Sequence, residues 1–198
     1  MKLHYAGASP FVRKVMVCAI IRGLDGRIEK VSTNPHLSPA ELLADNPLSR
    51  VPAMVTESGD TLYDSPVICE YLDTLGDAAP LVPPAGAARI ASLKWQALGD
   101  GIMDAAVARR MQAALPQDEP RVAFGTRQAA VVGRALDVLE HTDLSGPLEI
   151  GRITIGCALG YLDFRFAHED WKTARPKLAA WWADISTRPG FAETTPVG

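Results

Sequence analysis

The sequence predicts two structural regions, a mixed α/β region followed by an all-helical region. Three observations support this prediction. In residues 1–76, short apolar runs that alternate like strands come between patterns with helical spacing. Residues 88–198 show helical spacing almost throughout. Residues 77–87 contain three prolines and one glycine, which interrupt regular structure. We therefore expect two domains, 1–76 and 88–198, joined by a linker at 77–87.

The elements of the first region follow in the order β-α-β-α-β-β-α. Alternating apolar residues over 2–6 and 27–31 predict the first two strands. Between them, apolar residues recur at helical spacing over 12–20. Gly23 is expected to end that helix, because glycine is the preferred residue just after a helix terminus.

The remaining elements of the first region are a short helix, a hairpin and a third helix. Ser38 and Glu41 have the spacing of a capping box, so a helix is expected from Ser38 to about residue 44. Segments 53–56 and 61–63 flank a turn and predict a β-hairpin. Ser65, which is followed by proline, is expected to open the third helix. This order of parallel and antiparallel parts is the pattern of a thioredoxin-like domain.

Four helical patterns make up the second region and predict a helical bundle. Two long ones cover residues 88–115 and 120–141, and a shorter one covers 177–186. Thr154 is expected to open the helix between them as its N-cap, although Cys157 stands where a capping box has its acidic residue.

Composition excludes several classes of function. The chain has 198 residues and a net charge of −3, so no basic excess points to a nucleic-acid partner. No window of about 18 apolar residues predicts a membrane span, and residues 1–5 lack the start of a signal peptide. The 3 cysteines and 4 histidines show no metal-ligand spacing, so we expect no metal site. These features favour a cytoplasmic protein without nucleic-acid or membrane partners.

Three short motifs lie where predicted elements begin or end. Ser9-Pro10-Phe11 stands before the first helix, Arg50-Val51-Pro52 before the third strand, and Asp64-Ser65 before the third helix. Helix N-termini bind anions and thiolates, because their free N–H groups create a positive field. Capping alone could also explain Ser9 and Ser65, and Pro52 could be an ordinary proline at the start of an edge strand.

Taken together, these motifs and the helical second half resemble the glutathione S-transferase superfamily, and in particular its short bacterial members. The resemblance covers essentially the whole chain. It implies a thioredoxin-like domain that binds glutathione, followed by an all-α domain. It also implies a homodimer, and a hydrophobic electrophile held between the domains. Ser9 stands where omega-type members have cysteine, which argues against chemistry that needs a protein thiolate.

The resemblance also implies roles for individual residues. Ser9 would stabilise the glutathione thiolate as the catalytic residue. Val51 would pair through its backbone with the cysteinyl part of glutathione, before a cis peptide bond at Pro52. Asp64 and Ser65 would hold the γ-glutamyl end. The glutathione-binding residues implied in this way are Phe11, Arg50, Val51, Pro52, Asp64 and Ser65.

Other assignments stay open at the level of the sequence. One or two basic residues would meet the glycyl carboxylate of glutathione. The candidates are Arg13, Lys14, His36 and Arg50. Asp100 or Asp104 would reach a ligand bound to the partner subunit, or would be an ordinary surface or capping carboxylate. The residues that could line the electrophile site by position are Phe11, Met103, Ala106, Val107, Arg110, Tyr161 and Phe164.

The sequence therefore predicts a glutathione S-transferase with two alternatives. One is a glutathione-dependent thiol–disulfide oxidoreductase or peroxidase. The other is a glutathione-binding, stress-related protein without significant turnover, because a fold can be kept when its catalytic activity is lost.

Overall fold

The computed structural model describes residues 1–197, which form a four-stranded mixed sheet and seven α-helices. The strands are β1 (Lys2–Tyr5), β2 (Glu29–Ser32), β3 (Ala53–Val55) and β4 (Thr61–Leu62). The helices are α1 (Pro10–Ile21), α2 (Ala40–Asp45), α3 (Ser65–Asp73), α4 (Gly86–Ala113), α5 (Glu119–Glu140), α6 (Ile150–Arg165) and α7 (Pro176–Ile185). This order confirms the predicted fold class, a thioredoxin-like region followed by helices. The predicted division at residues 76 and 88 stays a prediction.

The sheet has the strand order β2-β1-β3-β4. β1 and β2 are parallel, whereas β3 is antiparallel to both β1 and β4. His4 pairs with Ala53, and Met54 pairs with Leu62. The end of β1, the start of β3 and the end of β4 therefore meet at one edge of the sheet.

Local sequence signals determine both ends of α1, as predicted. The Ser9 hydroxyl accepts a hydrogen bond from the backbone N–H of Val12 at 3.3 Å, and Pro10 occupies the first helical position. After the helix, Gly23 adopts a φ of 67°, a left-handed conformation that costs glycine little.

The prediction that Ser38 caps α2 is wrong. Ser38 has a φ of 45° and lies outside the helix, which begins at Ala40 with Pro39 at the N-cap position. Its hydroxyl accepts a hydrogen bond from the Ser49 hydroxyl at 2.9 Å. The left-handed backbone turns the Ser38 side chain toward the loop that follows α2, so it is not available to the helix N-terminus.

The prediction that Thr154 opens α6 is also wrong, because the helix begins one turn earlier at Ile150. The N–H of Ile150 donates to the carbonyl of Leu81 at 2.8 Å, so the segment before α4 satisfies the helix terminus. Thr154 is fully buried inside the helix, and its hydroxyl donates to the Ile150 carbonyl at 2.7 Å. A methyl group on Gly99 of α4 would lie 2.8 Å from the Thr154 side chain, so the two helices pack closely there.

Buried polar contacts hold the segment between α3 and α4. Arg22 donates to the Leu75 carbonyl at 2.6 Å. The Asp73 carboxylate accepts from the backbone N–H groups of Leu81 and Val82 at 2.7 and 2.9 Å. Together with the hydrogen bond from Ile150 to the Leu81 carbonyl, these contacts fix the segment against both halves of the chain.

The three cysteines, Cys18, Cys69 and Cys157, are free and buried, as their apolar helical surroundings predict. Burial raises the pKa of the Cys157 thiol to about 12. None of residues 1–197 lies in a helix long and apolar enough to cross a membrane. Over the same residues, no three His, Cys, Asp or Glu side chains group so as to hold a metal ion.

Candidate functional site

The sheet brings the three sequence motifs to one edge. Ser9 follows β1, Val51 and Pro52 precede β3, and Asp64 follows β4. The pairing of the three strands places these points side by side, because the antiparallel register of β3 aligns its start with the ends of its two neighbours. Val51 and Asp64 follow Ser9 by 42 and 55 residues along the chain. The fold therefore assembles one candidate site from separated loops.

Ser9 occupies the positive end of α1. Its backbone is extended, with φ −81° and ψ 122°, and its side chain is partly exposed. The N–H groups of the first helical turn point toward this end, where they and the hydroxyl favour an anion. A ligand thiolate placed beside Ser9 would gain this stabilisation. The hydroxyl accepts from Val12 at 3.3 Å, so its hydrogen remains available to donate to the sulfur.

The Val51–Pro52 peptide bond is cis, in agreement with what the resemblance implies. Val51 is partly buried, and neither its N–H nor its C=O bonds to another of residues 1–197. A peptide-like ligand can therefore add to this edge as a short strand would.

Asn46 is a positioning residue that the sequence reasoning missed. It is 1% exposed, and its side-chain amide donates to the Arg50 carbonyl at 2.9 Å while its side-chain oxygen accepts from the N–H of Leu48 at 3.0 Å. These two bonds hold the loop that presents Val51. The dipeptide Asn46-Pro47 indicates a turn in the sequence, but it does not show which carbonyl the amide would meet.

Asp64 and Ser65 begin α3. Asp64 is at the N-cap position, but its carboxylate makes no capping hydrogen bond. Ser65 is 1% exposed at the first helical position, and its hydroxyl has no hydrogen-bond partner among residues 1–197. Capping therefore does not account for either side chain. Both stay available to a ligand that carries an ammonium and a carboxylate, as a γ-glutamyl group does.

Charges of both signs surround this edge. Burial raises the pKa of the Asp104 carboxyl on α4, an effect that Arg50 opposes and Asp64 reinforces. Burial likewise raises the pKa of Asp100, although Lys14 partly counteracts it. Arg50 and Asp64 thus both lie close enough to Asp104 to affect its ionisation. An amino acid ligand would find partners for both of its charged groups here.

Two of the four candidates for the glycyl carboxylate bind other groups in this structure. Arg13 donates to the Phe191 carbonyl at 3.0 Å and to the Thr194 hydroxyl at 3.2 Å, and burial lowers its pKa. The fully buried Lys14 forms an ion pair with Asp100 at 2.7 Å. Both side chains lie on the part of α1 that faces the helical bundle, which helical spacing alone did not reveal.

His36 and Arg50 are the candidates that remain for the glycyl carboxylate. Both are exposed. His36 lies on a short 3₁₀ helix between β2 and α2, and Arg50 lies directly before Val51.

The candidate electrophile-site residues fall into two groups. Met103 and Ala106 are 0% and 1% exposed and belong to the core, so they are not available to a ligand. Tyr161 is also buried, at 5% exposed. The others are at the surface or partly accessible, and they are Phe11, Val107, Arg110 and Phe164.

Comparisons with known proteins agree with this geometry. Residues 8–75 match the family model described as the glutathione S-transferase N-terminal domain. The chain is 34% identical to the uncharacterized GST-like protein YibF of Escherichia coli K12, over 99% of this chain and 98% of that protein.

Two solved structures are similar over nearly the full length. A glutathione transferase family member from Pseudomonas fluorescens Pf-5 with bound glutathione has a TM-score of 0.93 and 40% identity, over 100% of this chain and 99% of that one. A glutathione S-transferase from Methylobacillus flagellatus KT with glutathione bound has a TM-score of 0.89 and 36% identity, over 99% of both chains. The fold, the assembled edge and these similarities together show that the chain belongs to the glutathione S-transferase superfamily.

Proposed function

We propose that the protein is a glutathione transferase that ionises the thiol of glutathione beside Ser9. The observation that carries this proposal is the position of Ser9 at the N-terminus of α1, on the sheet edge where Val51 and Ser65 also lie. A free cysteine-type thiol has a pKa of about 8.5, and a helix N-terminus lowers such values. The thiol proton leaves to solvent. The thiolate then forms an S–C bond to an electrophilic carbon, and a leaving group such as chloride departs with the electron pair of the broken bond.

Glutathione would lie across the three motifs. The backbone of Val51 would pair with the cysteinyl residue, which directs its sulfur toward Ser9. The Ser65 hydroxyl and the α3 N-terminus would hold the γ-glutamyl carboxylate, and Asp64 would hold the ammonium. Phe11 and Pro52 would contact the tripeptide on either side, and Arg50 or His36 would meet the glycyl carboxylate.

The relatives support glutathione as the co-substrate. The Pseudomonas and Methylobacillus proteins were solved with glutathione bound. A second Pseudomonas structure, with a TM-score of 0.90 and 40% identity, contains S-(propanoic acid)-glutathione, in which the sulfur carries an organic acid. We propose that this chain likewise binds glutathione and a conjugate at the same edge, and that it uses no metal.

We further propose that this protein is a cytoplasmic homodimer that acts in detoxification. Val67 of α3 and Ile90 of α4 are 46% and 67% exposed, and such apolar side chains would suit a contact between copies. The electrophile would be hydrophobic and would lie between Phe11 of α1 and the helical bundle.

The exchange or peroxidase alternative is less well supported. Thiol–disulfide exchange by a protein thiolate needs an accessible cysteine of low pKa. Cys18, Cys69 and Cys157 are all buried, and burial raises the pKa of Cys157 to about 12. A glutathione-binding protein without turnover remains the second candidate, because Ser9 also serves as the cap of α1.

Retention and conjugation assays test the proposal. We expect the protein to bind immobilised glutathione and to conjugate a chloronitrobenzene. Ser9→Ala should lower kcat/KM about tenfold or more, since one charge-assisted hydrogen bond contributes about 1.5–3 kcal/mol. Ser186→Ala is the matched control, because that hydroxyl lies at the end of α7 and donates to the Ala183 carbonyl at 3.1 Å.

Each outcome separates the candidates. A protein that is not retained by glutathione contradicts the whole proposal. Retention without conjugation supports the binding protein, and unchanged activity in Ser9→Ala leaves the backbone N–H groups of α1 as the thiolate donors.

A further inference from the structure

Two serines near the candidate carboxylate-binding residues have a left-handed backbone. Ser38 has a φ of 45° and Ser49 has a φ of 51°, and no other non-glycine residue among residues 1–197 has a positive φ. Ser38 comes two residues after His36. Ser49 directly precedes Arg50. A left-handed backbone is unfavourable for a residue with a Cβ atom and persists where the surrounding contacts hold it, often at a functional site.

The side chains of the two serines join two separate loops. The Ser49 hydroxyl shares its hydrogen between the Ser38 hydroxyl at 2.9 Å and the Pro35 carbonyl at 3.2 Å. Pro35 begins the 3₁₀ turn between β2 and α2, and Ser38 follows the end of that turn. Ser49 belongs to the loop between α2 and β3. We call this contact of Ser38, Ser49 and the Pro35 carbonyl the serine clasp.

The serine clasp joins the two segments that carry the remaining basic candidates. His36 directly follows Pro35, and Arg50 directly follows Ser49. The backbones of the two basic residues therefore start from neighbouring points. Both side chains are exposed, and neither makes a hydrogen bond or an ion pair with another of residues 1–197. Both are thus available to a ligand.

Two asparagines hold the same backbone segments. The Asn34 side chain accepts from the N–H of His36 at 3.1 Å. The Asn46 side chain donates to the Arg50 carbonyl at 2.9 Å. Together with the serine clasp, these bonds fix the main chain at both basic residues before any ligand binds. A site that is ordered in advance loses less conformational entropy on binding.

We propose that Ser38 and Ser49 are positioning residues that hold His36 and Arg50 together, so that both meet the terminal carboxylate of the thiol co-substrate. This inference rests on the proposed transferase function and specifies which end of the co-substrate the protein discriminates. A carboxylate accepts charge-assisted hydrogen bonds that an amide cannot replace. The serine clasp would therefore favour a thiol peptide with a free carboxylate over the same peptide with a terminal amide.

A matched pair of ligands tests this preference by calorimetry. They are glutathione and γ-glutamylcysteinylglycinamide, which differ only at the terminal carboxylate. We expect the wild-type protein to bind glutathione about tenfold more tightly than the amide. Ser49→Gly removes the hydroxyl but keeps the left-handed turn, because glycine adopts a positive φ freely. This variant should lower the ratio to about two, with the affinity for the amide nearly unchanged.

Further variants separate positioning from a general structural effect. Ser38→Gly should lower the ratio in the same direction, and the double variant should resemble Ser49→Gly alone, because both hydroxyls form one contact. Ser58→Gly is the matched control. Its hydroxyl lies 2.9 Å from the Thr56 hydroxyl in the turn between β3 and β4, at the opposite end of these strands from the site.

The two basic residues and the kinetics give independent readouts. His36→Gln and Arg50→Gln should each lower the ratio, since both side chains meet the carboxylate. In conjugation assays, Ser49→Gly should raise the KM for glutathione more than it lowers kcat, because the clasp acts on binding and lies away from the thiol. A ratio that depends on only one of the two basic residues would contradict their joint role.

Three results overturn the inference. One is equal binding of glutathione and the amide by the wild-type protein. Another is a wild-type preference for glutathione in both Ser38→Gly and Ser49→Gly. The third is an equal loss of affinity for both ligands in Ser49→Gly, which would mean that the clasp only supports the Val51 loop. In each case the wild-type protein still binds glutathione, so the proposed function stands, whereas no binding of glutathione contradicts both.

Discussion

The ion pair between Lys14 and Asp100 joins α1 to α4, and its removal should destabilise the folded protein strongly. Lys14 is 0% exposed and Asp100 is 19% exposed at the side chain, with Nζ and Oδ1 2.7 Å apart. Lys14→Met keeps the length of the side chain but leaves the Asp100 carboxylate without its cation. Breaking a buried pair from one side costs about 3–5 kcal/mol. Because Asp100 is partly solvated, we expect the lower end of that range, about 3 kcal/mol.

Equilibrium unfolding in urea measures this effect. With a urea dependence of about 3 kcal/mol per molar for a chain of this size, the midpoint of Lys14→Met should fall by about 1 M. The double variant Lys14→Met with Asp100→Leu should regain most of the loss, since replacing both members by apolar residues is often nearly neutral. Arg27→Met is the control, because its pair with Glu57 has 44% and 52% exposed side chains and should contribute less than about 1 kcal/mol.

If Lys14→Met unfolds at the same urea concentration as Arg27→Met, the buried pair does not stabilise the contact between α1 and α4. A double variant as unstable as Lys14→Met alone would show that the loss came from packing around residue 14, and not from an uncompensated charge.

Three further predictions concern the loop, the helix contact and acid stability. Asn46→Ala should weaken glutathione binding about tenfold in calorimetry, because two loop hydrogen bonds at 2.9 and 3.0 Å are lost; unchanged affinity would show that the loop holds Val51 without them. Gly99→Ala should lower the melting temperature by several degrees, because the new methyl would lie 2.8 Å from Thr154, whereas Gly101→Ala meets nothing within 4 Å and should not. Burial opposes ionisation of Asp45, but hydrogen bonds from Lys2 and His4 lower its pKa overall. This carboxylate therefore stabilises the fold above its ordinary pKa of 3.8, and that stability is lost as pH falls through the lowered value. Asp45→Asn should be less stable than the wild type at pH 7, and its urea midpoint should fall less steeply below about pH 4. Urea midpoints that fall equally steeply with pH in the two proteins would contradict this.

Local signals predicted much of the fold and of the candidate site. Ser9 and Gly23 act on their own helix ends, so the sequence around them was sufficient to predict α1. The motifs at Ser9, Val51 and Asp64 could be recognised because each lies at an element boundary, and the strand order then brings them together.

The errors arose where distant residues decide the structure. Threonine is a common N-cap residue, which favoured a helix start at Thr154. The carbonyl of Leu81 instead accepts from the N–H of Ile150, and α6 begins there, one turn earlier. Lys14 pairs with Asp100, which is 86 residues away in the sequence. The sequence of α1 alone therefore could not show that the Lys14 ammonium is buried. The same holds for Arg13, whose partners are in the last residues of the chain.

The thiol pKa of bound glutathione tests the central claim most directly. The ultraviolet absorbance of the thiolate is followed against pH for glutathione bound to the wild-type protein, with free glutathione as the reference. Ser9 and the N-terminus of α1 should lower the pKa from about 8.5 to about 7 or below, and Ser9→Ala should raise it back toward the free value. A bound thiol that titrates like free glutathione would contradict the account.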